Sequence, residues 1–165
     1  MTAADRVVAT VYVDVPIADA FEVFTVEIDQ WWRRGPAYRV LGRAPGLLHL
    51  EPKLGGRIFE QDTAGAPVHE VGRVTAWRPP AHVAFTWRSV TFAPGEETTV
   101  DVRFAARGAG TEVTVVHAGW ARIRPDHPVR HGEASAVFLG RLGRWWGALL
   151  TGLREHAGAR PAPPE

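Results

Sequence analysis

Three runs in the second half of the chain alternate apolar and polar residues with a period of two. In His82–Arg88, Val83, Phe85 and Trp87 share one face, while Ala84, Thr86 and Arg88 share the other. Thr98–Ala106 repeats the pattern, with Val100, Val102 and Phe104 opposed to Thr99, Asp101 and Arg103. After the turn Gly108-Ala109-Gly110, Thr111–Gly119 sets Val113, Val115 and His117 on one side. Such alternation means a sheet with one covered face and one wet face, hence antiparallel. The cover comes from the end of the chain. Between Glu133 and His156, Phe138, Leu142, Trp145, Leu149 and Leu153 recur at steps of three or four, and Val137, Trp146 and Leu150 widen the stripe. The spacing predicts one helix over about Val129–His156, long enough to cross a sheet at roughly 1.5 Å per residue. Gly140, Gly143, Gly147 and Gly152 each weaken it by about 1 kcal/mol against alanine, so close packing has to compensate.

The first half supplies the remaining elements. Valine-rich Arg6–Asp14 reads as a strand. Pro16 pre-sets a helical first turn, and Phe21, Phe24 and Ile28 follow at helical spacing, so residues 16–32 form one helix or two short ones ending at Trp31-Trp32. Leu47–Glu51, Arg57–Asp62 and Val68–Trp77 are β-prone runs separated by glycine and proline. The order defines an α+β chain: a curled antiparallel sheet of about seven strands around a long C-terminal helix, with two short helices after strand 1. This is the helix-grip arrangement.

Composition narrows the partners. The 165 residues suit a single domain, expected over 1–157 with a disordered proline-rich tail at 158–165. Nineteen Lys and Arg against 18 Asp and Glu leave a net charge of +1, so no nucleic acid is expected as a partner. The absence of cysteine excludes disulfides, thiolate metal sites and cysteine nucleophiles. No signal-like or membrane-spanning apolar run occurs, which sets an expectation of a cytoplasmic protein without membrane insertion, monomeric or homodimeric. Seven tryptophans exceed what filling a core needs, and tryptophan often marks a surface that touches something.

Several local sequences carry a resemblance. Ile28-Asp29-Gln30-Trp31-Trp32, Glu51-Pro52-Lys53-Leu54-Gly55-Gly56-Arg57, Gly72-Arg73-Val74 and Trp77-Arg78-Pro79-Pro80 occur in order. Phe85-Thr86-Trp87, Gly110-Thr111-Glu112-Val113-Thr114-Val115, His117 and Gly119-Trp120 follow. Over about residues 6–157 the chain resembles the heat-shock-protein-90 ATPase activator-like branch of the START-like (SRPBCC) superfamily. That superfamily includes hydrophobic-ligand carriers, plant-hormone receptors, pollen allergens and aromatic polyketide cyclases. The resemblance implies a helix-grip fold with a ligand cavity between the sheet and the last helix. Eukaryotic activators of the branch carry a further N-terminal domain for chaperone contact. The single module here sets the expectation that the chain does not stimulate the chaperone.

Large inward residues form either a packed core or a cavity wall, and the resemblance favours the wall. The sheet would contribute Phe59, Phe85, Trp87, Val102, Phe104, Val115 and His117 to it. The short helices would contribute Phe24, Ile28 and Trp32, and the last helix Phe138, Leu142, Trp145 and Leu149. Trp87 and Trp145 are expected to approach one enclosed space from sheet and helix. His117, polar on a valine-lined face, is either a satisfied core histidine or a group that orients a ligand or moves a proton. Adjacent residues on a helix point about 100° apart, so only one of Trp31 and Trp32 is expected to face inward. Strand alternation puts Arg57 and Glu60 on opposite faces, which reads as a solvated pair rather than an acid/base couple. His127 and His131 lack a third ligand, so no metal is expected, nor any cofactor or catalytic residue. The function expected is binding of an apolar or amphipathic small molecule. The alternatives are a polyketide cyclase/dehydratase-like enzyme using the same cavity and a chaperone-ATPase-activator-like interaction protein.

Overall fold

In the first strand, β1 (Arg6–Val13), odd-numbered residues are turned inward and even-numbered ones outward. Pro16 then starts α1 (Ile17–Thr25), which buries Phe21, Val23 and Phe24. A single-turn helix, α2 (Ile28–Trp31), follows. The computed structural model describes residues 5–39, 46–62, 68–89, 92–124, 126–130 and 132–160. Six more strands come next: β2 (Gly46–Leu50), β3 (Arg57–Asp62), β4 (Val68–Arg78), β5 (His82–Trp87), β6 (Thr98–Arg107) and β7 (Gly110–Ala118). They form one antiparallel sheet in the order β1-β7-β6-β5-β4-β3-β2. The long helix α3 (Ser135–Gly158) lies along β1 and meets α1 and α2. This is the helix-grip α+β fold. No helix among the described residues is long and apolar enough to cross a membrane.

Local irregularities curl the sheet. Register shifts interrupt β3 at Ile58/Phe59 and β4 between Val74 and Ala76, and bulges of this kind bend a strand and raise its twist. Gly72 lets β4 and β5 approach closely, since a Cβ there would collide with the Thr86 carbonyl. The concave face carries the core. Val83, Phe85, Val100, Val102, Phe104, Val113 and Val115 are buried in one core with Phe138, Trp146, Leu149, Leu150 and Leu153 of α3, and Phe104 meets Phe21 and Phe24 of α1 edge to face.

Four expectations change. The final helix begins at Ser135, not Val129. Gly132 adopts φ +71°, Ala134 is extended, and Pro128–Arg130 forms a separate 3-10 turn. The stripe holds at Phe138, Leu142, Leu149 and Leu153, but of the tryptophan pair Trp146 is fully buried and Trp145 only half-buried, and Val137 is exposed. Trp31 and Trp32 are both buried, because α2 ends between them and Trp32 is extended, which cancels the helical 100° offset. Glu60 is buried beside Ile58 instead of solvated. The segment from 161 to the C-terminus and His131 lie outside the described residues.

Candidate functional site

A line of hydrogen bonds crosses the molecule from helix to sheet. Trp146 donates its indole N–H to His117 Nδ1 at 3.0 Å. That bond leaves the imidazole proton on Nε2, from which it is donated to Thr98 Oγ1 at 2.7 Å. The Thr98 hydroxyl donates in turn to the Trp87 carbonyl at 3.2 Å. Burial pushes the His117 pKa down to about 3, so the ring is neutral. Both of its nitrogens are engaged, and the ring packs against Trp120 at 4.9 Å. His117 is a satisfied core histidine whose ring edge reaches a cavity.

That cavity, about 480 Å³, opens between the first half of α3 and the sheet. From α3 it is lined by Phe138, Arg141, Leu142 and Trp145, and from the sheet by Glu60, Trp87 and His117. Arg88 and Ser89 just beyond β5, with Trp120, Pro128 and Val129, complete the far rim. The near rim is a strap, Pro36–Arg39. Trp145 donates its N–H to Ala37 O at 2.7 Å and stacks on Tyr38 at 5.8 Å, 19° from parallel. Trp32 donates its own N–H to Tyr38 O at 3.1 Å.

Arg39 anchors the end of the strap from within. It is buried, donating to Asp29 Oδ1 at 2.6 Å, Asp29 O at 2.9 Å and Trp32 O at 2.6 Å. Burial would raise the Asp29 carboxyl, but the Leu48 N–H, then Arg39 and Arg34, together hold it below the usual carboxylate range. On the far side, Arg88 holds the β5–β6 connection by donating to the carbonyls of Glu96, Phe92 and Ala93. Buried His127 accepts the Val129 N–H at Nδ1, 3.1 Å away, and its ring meets Phe92 edge-on.

Of the expected site residues, Trp87, His117, Phe138, Leu142 and Trp145 line the cavity. Phe24, Ile28, Phe85, Val102, Phe104, Val115 and Leu149 are buried in the core away from it, and Trp32 stands behind Trp87 and Trp145. Phe59 belongs to the other face of β3, stacked on His49 with the Arg57 guanidinium over its ring. Arg57 itself pairs with Glu51. The Trp87 and Trp145 rings touch edge to face at 6.1 Å, so the open space lies beside the two indoles, not between them. Tyr38, Arg39, Glu60, Arg88, Trp120 and Arg141 were not expected in the wall. For Glu60 a signal existed, since alternation places it with inward Ile58. No group of three potential metal ligands occurs among the described residues.

A helix-grip fold with a cavity at the side of its last helix defines a class of α+β proteins. Residues 14–144 match the model of the activator of Hsp90 ATPase homolog 1-like protein family, and the chain belongs to that family. Among solved structures, it is similar to Txn09, an anthrahydroquino-gamma-pyrone synthase complexed with SUM. The two are 26% identical over 93% of this chain and 99% of the synthase, with a TM-score of 0.58. The Aha1 dimer of Colwellia psychrerythraea matches at 13% identity over 93% of this chain and 96% of its own, with a TM-score of 0.63. An HSP90 activator of Plasmodium falciparum matches at 18% identity, 93% and 96% coverage and a TM-score of 0.61. No curated protein matches the chain.

Proposed function

We propose that the protein binds an apolar or amphipathic small molecule with a flat, aromatic body in the cavity beside Trp87 and Trp145. The observation that carries this reading is the wall itself. A space of about 480 Å³ is bounded by Trp87, Trp120, Phe138, Trp145 and Tyr38, and small-molecule sites typically span about 300–1,000 Å³ with apolar and aromatic linings. Aromatic faces and edges favour a planar partner, each contact adding about 0.5–1.5 kcal/mol beyond area burial.

The test is a screen of flat apolar and amphipathic compounds, read by tryptophan emission and melting temperature together. A ligand confined to the folded state adds about 2.7 kcal/mol at a hundredfold excess over its dissociation constant. For a chain of this length that is a rise of roughly 5–10 °C. A broad screen with no compound shifting both signals would overturn the reading.

A second reading has a specific observation behind it. Glu60 places a buried carboxyl on the cavity wall, and the 26% identical relative is named a synthase. A buried carboxyl beside a bound aromatic could move a proton in a cyclase- or dehydratase-like reaction. The same screen separates the two readings. A bound compound recovered with its mass unchanged supports binding alone, and one recovered altered supports catalysis. Chaperone activation has no such support, because the named activator structures share the fold alone.

A further inference from the structure

The charged residues on the wall differ in how fully they are spent. Arg39 is neutralised by Asp29 at 2.6 Å, and its other bonds go to the Asp29, Trp32 and Arg33 carbonyls. Glu60 is engaged within the protein. Arg88 stands apart, because among the described residues it has no carboxylate partner. Its Nε–H donates to Glu96 O at 3.2 Å, and its Nη2 donates to Phe92 O and Ala93 O at 3.3 and 3.0 Å. Its Nη1 amino group donates to no described residue. Across the cavity, Arg141 gives its Nε–H to Glu133 at 3.1 Å and its Nη2 to Val129 O at 2.7 Å, again leaving Nη1 uncommitted among the described residues. Its guanidinium also lies 5.3 Å from the Phe138 ring, at the aromatic wall.

A guanidinium has five N–H groups and no acceptor. Carbonyl dipoles satisfy the bonds of Arg88 but leave its full positive charge beside an apolar space. Arg141 on the helix is paired with Glu133 through Nε but keeps its Nη1 uncommitted among the described residues, and with Arg88 just past β5 it suits an oxyanion better than a cation or a neutral donor. We infer that the ligand of the cavity is an amphiphilic anion: a flat apolar body with one carboxylate- or sulfonate-like group directed at Arg88 and Arg141. This rests on the small-molecule reading above and adds to it the charge of the ligand.

Two dyes sharing one aromatic body test it on the full chain. One is 1-anilinonaphthalene-8-sulfonate, and the other is N-phenyl-1-naphthylamine, which lacks the sulfonate. Dissociation constants come from emission titrations, with melting temperature recorded for each variant. The sulfonate should bind about tenfold tighter or better, the scale of one charge-assisted contact. Arg88→Gln and Arg141→Gln should each shrink that gap severalfold, weakening the sulfonate far more than the neutral dye. The neutral dye's affinity also reports that the cavity is still formed. Glu133→Gln, which frees Arg141 from its carboxylate, should widen the gap. If Arg88→Gln fails to fold because the β5–β6 connection comes loose, the Arg141 and Glu133 variants still decide the matter. Equal affinities for the two dyes, or a gap that survives Arg141→Gln and does not widen in Glu133→Gln, would overturn the anion inference and leave the cavity reading standing. If neither dye binds, this inference falls, and the broad screen described above decides the cavity reading on its own.

Discussion

His117 shows how a polar residue on an apolar face is resolved by its partners. With Trp146 donating to one ring nitrogen and Thr98 accepting from the other, neither nitrogen is available to a ligand. The His117→Ala variant leaves a buried indole N–H without its acceptor and the Thr98 hydroxyl with only its bond to the Trp87 carbonyl, which should cost about 2–4 kcal/mol while barely changing affinity for a cavity ligand. Acid should act through the same ring. In the folded state its pKa lies at about 3, against an ordinary 6.5. The unfolded chain therefore takes up a proton as pH falls through 6.5, and the folded chain does not until about 3. This contribution to stability is full above 6.5 and is lost progressively towards 3, amounting to about 2 kcal/mol between pH 7 and pH 5. Urea denaturation of the parent and of His117→Ala at both pH values checks it, since the variant should lack that part of the slope. An identical slope in both proteins would refute the assignment.

At the scale of elements, α3 tests whether its glycines are placed or merely tolerated. A Cβ at Gly152 would come within 2.9 Å of the Trp31 carbonyl, where α3 crosses the end of α2, whereas nothing lies within 4 Å at Gly147. Gly147→Ala should therefore stabilise by about 0.5–1 kcal/mol through helix propensity alone. Gly152→Ala should destabilise despite the same propensity gain, and paired thermal melts would show the opposite signs. The strands were legible because period-two alternation survives any context that covers one face, and β5, β6 and β7 begin and end within a residue or so of expectation. The inward stripe of α3 was legible too, at Phe138, Leu142, Leu149 and Leu153, but which of its two tryptophans turns fully inward was not. Trp145 and Trp146 fit a wide stripe equally well, and what separates them is far away in sequence, Ala37 for one indole and His117 for the other. The strap carries no period at all, so neither its position nor the role of Arg39 could be read before the chain was folded. Glu60 was readable in principle. The general rule that carboxylates avoid the interior pointed the other way.

Across the whole molecule, the end of α3 is joined to α1 on one side and the cavity opens on another. Arg160, just past α3, reaches Asp19, Glu22 and Glu27, and His156 meets Glu27 at 2.9 Å, which fastens the end of the last helix to α1. The cavity adjoins the opposite half of α3, so the helix is anchored at one end and lines the ligand space near the other. Beside that space, Trp31, Trp32, Trp87, Trp145 and Trp146 form an unbroken set of neighbours, with ring centroids 5.3–6.1 Å apart. Indoles this close exchange excitation far faster than they emit. Light absorbed by any of the five migrates through the group to its lowest-energy member, as in an antenna. A quencher resting on Trp87 or Trp145 alone should therefore darken all five together, and emission anisotropy of the unliganded protein should be low even in rigid glass. In Trp87→Phe the antenna persists through Trp32, so a ligand that still binds will still dim most of the emission.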